Sequence, residues 1–299
     1  MSIYSKPGDQ VDPSKQKKFA ESDPSSGEMY SALLANRRDP TSWEAYLTKL
    51  IRKRTVPVFG SQKPQLQNGY YTITDKFGVE YLINSSGLRS KPLDQLGDKP
   101  VIVGIGCSIT HGIGLNCTET WIHRLAELMN CDYINISMPG HGLTVTSLYF
   151  TEIILPQFAN IQGVFVYTPP PNRVDWIQYT DLDESQYAVT DQDLTVMSMI
   201  SIIKDAGYTD TSRELLRGLE HSAFIQYTKD LKLIETNAEL HNIAYSNLDS
   251  IEFMQTSRVL NNKHRYTKAQ DGSHDGIELH QDISDEFFKQ VTDKKIPNS

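Results

Sequence analysis

A chain of 299 residues, 38% apolar and 22% charged, is long enough for one large α/β domain with an extension, or for two small domains. Its formal charge of −8 argues against a general nucleic-acid binder, which needs a basic face, and no apolar run approaches the length of a membrane span. Three cysteines at irregular spacing make no disulfide framework, and "MSIYSKPGDQVDPSKQKKF" has no apolar h-region, so a reducing, cytoplasmic location is the default expectation.

Residues 1–30 are rich in Lys, Ser, Pro, Asp and Gln and read as a flexible arm. Residues 31–98 read as an extension packed on the larger C-terminal domain. In it, "PTSWEAYLTKLIRKR" sets Trp43, Tyr46, Leu47, Leu50 and Ile51 at helical spacing behind a Ser/Thr cap. "GYYTITDKFGVEYLINSSGLRS" reads as a β-hairpin turning at Asp75–Gly78, too short to be stable alone. From residue 99 to 299 strands and helices alternate, which argues for a parallel sheet covered on both faces. The strands expected there are "VIVGIG", "DYINIS", "GVFVYT" and "NIAYSNL". The helices are "TWIHRLAELMN", "GLTVTSLYFTEIILPQF", the long "TSRELLRGLEHSAFIQYTKDLKLIETNAEL" and "GIELHQDISDEFFKQVT". The acidic stretch from Val174 to about Asp210 fits no regular core unit before "LTVMSMISIIKD" and reads as an insertion.

The most informative segment is "VIVGIGCSITHGIG". Val101, Ile102, Val103 and Ile105 make a buried strand, and Gly106, Gly112 and Gly114 end it. A polar group is therefore presented at the carboxyl end of a buried strand, where α/β sheets keep their ligand crevice. Three mechanisms use such a turn, and each fails at a required residue. A dinucleotide fingerprint needs a third glycine where Ile109 stands; a phosphate loop needs a lysine that the turn lacks; a G-x-S-x-G elbow needs a glycine where Thr110 stands. Ser108 remains, and a serine becomes nucleophilic only when a base takes its proton. "DGSHDG" puts Asp271 three residues before His274 on a glycine-bounded loop, so one turn can fold the carboxylate onto the imidazole and fix its tautomer.

At these residues the chain from about Pro100 to Thr292 resembles the SGNH, or GDSL-like, family of serine esterases and acyl hydrolases. "GIGCSITHGIG", "INISMPGHGLT", "VYTPPPNR" and "DGSHDG" are similar to that family's four blocks, in order. The resemblance implies a three-layer α/β/α fold with a parallel, flavodoxin-like sheet. It implies Ser108 as nucleophile, His274 as base and Asp271 as its orienting acid. The oxyanion would be held by the N–H groups of Ser108 and Gly140 and by the Asn172 amide. It implies no metal and no organic cofactor. Departures are Cys107 where the family often has Asp, Pro170, Pro171 and Arg173 around Asn172 where glycines and Asp are usual, and Asp275 where Pro commonly follows the histidine. The carboxylate of Asp275 is expected to raise the pKa of His274.

Blander readings stand beside these. A lone serine after a strand caps a helix, an Asp-Gly pair makes a turn, and an asparagine after prolines caps the next segment. His111 and His141 read as rim or structural histidines, since neither has an acid at triad spacing, and His280 as a packing or capping one. Cys107, Cys117 and Cys131 with His123 lack zinc-ligand spacing. Tyr70, Tyr71 and Tyr81 read as hairpin packing before a sugar platform. The expected substrate is a small acylated molecule, a short-chain (acetyl) ester on a carbohydrate. The competing reading is a non-catalytic SGNH-like module that binds a glycan or a protein, favoured by the altered third block.

Overall fold

The computed structural model describes residues 44–45, 47–48, 51–52, 55, 65–171, 173, 175–179, 194–198, 210–260 and 266–293. The expected flexible arm, most of the insertion and Asn172 lie outside them.

The hairpin is the larger part of a small antiparallel sheet. β1 (Leu66–Gln67) pairs with β2 (Tyr70–Thr74), and β2 with β3 (Glu80–Asn84). The Asp75 carboxylate closes the β2–β3 turn by accepting the N–H groups of Phe77 and Val79 at 2.8 and 3.0 Å, the local bonding for which aspartate is favoured in turns. The described residues of the upstream helix include Leu47 and Ile51, both fully buried, in agreement with its apolar spacing.

The main sheet is parallel. β4 (Val101–Gly106), β5 (Asp132–Ser137), β6 (Ile161–Thr168) and β9 (Ala244–Asp249) take the spatial order β5-β4-β6-β9. All six residues of β4 are buried, as a central strand covered on both faces requires. Its side chains divide by parity. Val101, Val103 and Ile105 face a core built with Val145, Tyr149, Phe150, Ile153 and Ile234, together with Leu47 and Ile51. Ile102 faces the opposite core of Trp121, Ile122, Leu125, Leu279, Ile283 and Phe287.

The helices supplying these cores follow the sequence expectations closely. α1 (Ser108–His111) is a single turn after β4, and α2 (Trp121–Met129) precedes β5. α3 (Thr144–Tyr149) continues through a π turn at Phe150–Ile154 into Leu155–Gln157. Pro156, which has no N–H to donate, sits just past that widened turn. β7 (Asp175–Tyr179) and β8 (Leu194–Ser198) form a two-stranded antiparallel ribbon within the insertion, an element its acidic composition concealed. The long α4 (Asp210–Leu240) leads to β9; α5 (Ser250–Leu260), which has no counterpart among the expected elements, follows it, and α6 (Ile277–Asp293) ends the described chain. The result is an α/β fold with a parallel sheet flanked by helices, the architecture expected from the resemblance.

Candidate functional site

The carboxyl end of β4 explains its glycines by packing. A Cβ on Gly104 would lie 2.9 Å from Ile122 Cδ1, and one on Gly106 would lie 2.6 Å from the Tyr167 carbonyl oxygen. They let α2 and α1 close onto the strand. Ser108 thereby becomes the first residue of α1, 7% exposed, with Cys107 Sγ 4.0 Å from its Oγ.

The loop between α5 and α6 carries the other two expected residues. His274 Nδ1 lies 2.6 Å from Asp271 Oδ2, and Asp271 Oδ1 accepts the N–H groups of Ser273 and His274 at 3.1 and 3.0 Å. Burial of the Asp271 carboxyl works against its ionisation, but the hydrogen bonds from the His274 ring and the two N–H groups outweigh it, and its pKa lies below the ordinary carboxylate value. An ionised acceptor at Nδ1 assigns the ring proton to that nitrogen and leaves Nε2 with its lone pair. The structure therefore brings Asp271 and His274 together. It also seats their loop on the Ser108 segment: Gln270 N–H donates to the Gly114 carbonyl at 3.0 Å, and a Cβ on Gly114 would come within 3.0 Å of both Asp271 N and Oδ1. Asp275 is engaged by Lys268 Nζ at 2.8 Å.

Gly140 occupies the loop after β5. Pro139 and Gly140 fill the centre of a turn closed by His141 N–H donating to the Met138 carbonyl at 3.2 Å, with Gly140 at φ +81°. That pairing of proline and positive-φ glycine is the signature of a type II turn. Space around the Gly140 Cα is open, with nothing within 4 Å of where a Cβ would stand.

Two buried groups hold these loops, and sequence reasoning assigned a part to neither. Asp175, at the start of β7, accepts the Gly142 N–H at 2.8 Å and approaches His141 Nδ1 at 3.0 Å. His141 thus has an acid partner after all, contributed from a remote segment, and at 4% exposure it is no rim residue. Arg89, in the "NSSGLRS" segment, is buried and donates to the carbonyls of His111, Gly112 and Leu115 at 2.8, 2.6 and 2.5 Å. Burial lowers its pKa, opposed by charges from Cys117 and Tyr81 among others.

His111 and His280 are structural. His111 is fully buried, 3.1 Å from Ser137 Oγ, and burial first, then the Arg89 charge and His274, push its pKa well down. His280 accepts the N–H of Trp121, the first residue of α2, at 3.0 Å, the capping role expected of it. Burial and the charges of Arg89 and Arg124 lower its pKa to about 3. Tyr81 is buried and its hydroxyl accepts the Gly114 N–H at 2.7 Å; Tyr70 and Tyr71 are half-buried. Among the described residues no group of three or more His, Cys, Asp or Glu side chains is placed to hold a metal ion, and no helix is long and apolar enough to cross a membrane.

No family model matches the chain, and no curated protein does. Among solved structures it is similar to a carbohydrate esterase whose active site is described as having divergent catalytic and non-catalytic binding functions, with 14% identity, 69% of this chain and 68% of that one covered, and a TM-score of 0.38. It is also similar to a member of the lipolytic G-D-S-L family from Veillonella parvula, with 10% identity, coverage of 64% and 98%, and a TM-score of 0.32. A third is a catalytic mutant of an acetylxylan esterase from Geobacillus stearothermophilus, with 12% identity, coverage of 69% and 97%, and a TM-score of 0.32. At these identities and TM-scores the activities of those proteins do not bear on what this chain does.

Proposed function

We propose that this protein is a serine esterase of the SGNH type, hydrolysing a short-chain carboxylic ester borne by a carbohydrate. The observation that carries the proposal is the Asp271–His274 pair at 2.6 Å, on a loop docked against Gly114 six residues beyond Ser108. His274 takes the Ser108 proton on Nε2 as Oγ attacks the ester carbonyl, while Asp271 holds the ring and stabilises the imidazolium. The N–H groups of Ser108 and Gly140 and the Asn172 amide bind the oxyanion. Such donors act on charge that develops only in the transition state, and losing one typically costs about a hundredfold in rate. His274 then returns the proton to the leaving alcohol, and water, activated by the same imidazole, releases the acid from Ser108.

The domain division follows this reading, with a hydrolase unit over 99–299 and the 31–98 extension packed on it through Tyr81 and Arg89. The test is a series of nitrophenyl esters from acetate to palmitate, run with Ser108→Ala. Acetate is expected to be cleaved fastest and the variant to be inactive. Activity that survives Ser108→Ala overturns the mechanism, and no ester cleaved at all favours a binding module.

A further inference from the structure

Two buried carboxylates reach the segment after Gly140 from remote parts of the chain, Asp175 at the start of β7 and Asp230 on α4. Asp175 accepts the Gly142 N–H at 2.8 Å, lies 3.0 Å from His141 Nδ1, and has the Val145 nitrogen 3.5 Å from its other oxygen. Asp230 accepts the Thr144 hydroxyl at 2.8 Å and the Gln226 amide at 2.9 Å. Thr144 stands between Gly142 and Val145 in the chain and opens α3. The two acids therefore grip one turn of backbone, and that turn leads straight back to Gly140.

The two carboxylates are not equivalent. Asp175 is met by an imidazole and two main-chain N–H groups, donors that suit an ionised acid. Asp230 is met by a neutral hydroxyl and a neutral amide, and the hydroxyl can turn to accept from a protonated acid as readily as it donates to an ionised one. Burial, with the Asp175 charge adding to it, favours the protonated form of Asp230 over the bonds from Thr144 and Gln226 that oppose it. Other titratable groups on the elements packed against α4 are engaged elsewhere. Tyr149 of α3 bonds Thr48 and Ser86, Tyr245 of β9 bonds Asn247, and Asp249 of β9 bonds Tyr227. Glu152 of the π turn has a partner too, His141 faces Asp175, and Lys229, beside Asp230 on α4, is exposed. Loss of the Asp230 proton thus sets a second buried anion beside the first, and like charges removed from water repel strongly.

We propose that Asp230 is a proton-controlled positioning residue for the oxyanion turn: protonated, it leaves Asp175 to hold the 141–145 segment with Gly140 in place, and ionised, it pushes against Asp175 and loosens that hold. Asp230 touches neither the substrate nor the reacting atoms. The proposal rests on the esterase reading, in which the Gly140 N–H serves the oxyanion. Turnover is restrained as pH rises through the ionisation of Asp230, and asparagine, the neutral isostere of the protonated acid, removes the restraint.

The experiment measures kcat and KM on nitrophenyl acetate from pH 5 to 8 in wild type and Asp230→Asn. Ionisation of His274 is common to both proteins and cancels in their ratio. The kcat of Asp230→Asn relative to wild type is expected to lie near one at pH 5 and to rise about threefold or more by pH 8, with KM little changed, because an oxyanion donor acts in the transition state. A ratio that is constant with pH, as a purely structural role gives, or one that falls as pH rises, overturns the proposal. Main-chain resonances separate it from the esterase reading. In Ser108→Ala, the amide proton–nitrogen peaks of Gly140 and Gly142 should move with pH over the same range, and in Ser108→Ala/Asp230→Asn that movement should be lost, whether or not any ester is cleaved. Peaks that titrate identically in the two variants overturn the proposal even if the protein is an active esterase.

Discussion

Gly114→Ala tests whether the Asp271–His274 loop is held in register by its seat on the Ser108 segment. Gly114 has φ +78°, a left-handed conformation that costs a residue with a Cβ roughly 1–2 kcal/mol. The new methyl would lie 2.8 Å from Ala269 Cβ and 3.0 Å from Asp271 N and Oδ1. Carbon atoms settle at about 3.5–4.0 Å, so the loop must retreat by on the order of half an ångström or more. Overpacking of this kind costs about 1–3 kcal/mol, which with the backbone cost gives a total of about 2–5 kcal/mol. A catalytic group displaced by about 1 Å can lose about a hundredfold in rate. The assay is urea denaturation alongside kcat/KM on nitrophenyl acetate. Gly140→Ala is the control for stability, since Gly140 has φ +81° but a Cβ there meets nothing within 4 Å, leaving only the backbone cost. If Gly114→Ala loses no more stability than Gly140→Ala, the seat is not under the steric pressure described. If it loses stability as expected yet keeps full kcat/KM, the seat does not position the dyad.

Three further substitutions separate the supports of the site. Arg89→Met removes the side-chain donor to the His111, Gly112 and Leu115 carbonyls; Gly112 keeps the Leu115 N–H at 3.2 Å, and the other two lose their donor at about 1–3 kcal/mol each, so a loss of about 2–6 kcal/mol in chemical denaturation is expected; a change below 1 kcal/mol, the scale of an ordinary surface substitution, would refute it. Asp175→Asn weakens the hold on the turn that carries Gly140, the proposed oxyanion donor, so kcat on nitrophenyl acetate should fall about tenfold or more with KM little changed; a rise in KM alone would show that the turn serves binding instead. Asp230 accepts Thr144 Oγ1 and Gln226 Nε2, and burial, opposed by these bonds, raises its pKa from 3.8 to about 6. It is therefore protonated in the folded chain and ionised in the unfolded chain between those values, so its contribution is full below the unfolded pKa and lost as pH rises to about 6, by about 3 kcal/mol. Urea midpoints of wild type and Asp230→Asn from pH 4 to 8 should differ by an amount that changes across that window, and a difference that stays constant with pH would contradict the raised pKa.

Much of the fold was legible because its signals are local. Six buried residues in β4, the i, i+3, i+4 apolar spacing of Ile122, Leu125 and Ala126, and the long periodic run of α4 are written within single elements. The Asp271–His274 pair was legible for the same reason, since three residues of turn place the two groups together. The β7–β8 ribbon was not, because acidic residues and a long intervening segment hide its alternation, and neither was α5, whose apolar residues are split by the polar run Gln255–Arg258. The partner of His141 stands 34 positions away, beyond the reach of any local spacing.

That distance follows from where the site is built. The segments bearing Ser108, Gly140 and His274 lie beyond the sheet, where no ladder pairs their backbone groups, and buried N–H and C=O groups must still be satisfied. The partners come from chain that is remote in sequence. Arg89 answers carbonyls after Ser108, the Tyr81 hydroxyl answers the Gly114 N–H, Asp175 answers the Gly142 N–H, and Gln270 answers the Gly114 carbonyl. Two of these four converge on Gly114 from opposite sides, one from the hairpin and one from the last loop. A change at Tyr81 should therefore be felt at Asp271, 190 residues along the chain and one hydrogen-bonded glycine away. A double-mutant cycle of Tyr81→Phe with Gln270→Pro, which removes the other Gly114 bond, is expected to show non-additive stability of about 0.5 kcal/mol or more. Additivity within a few tenths would mean that the hairpin and the last loop are secured independently.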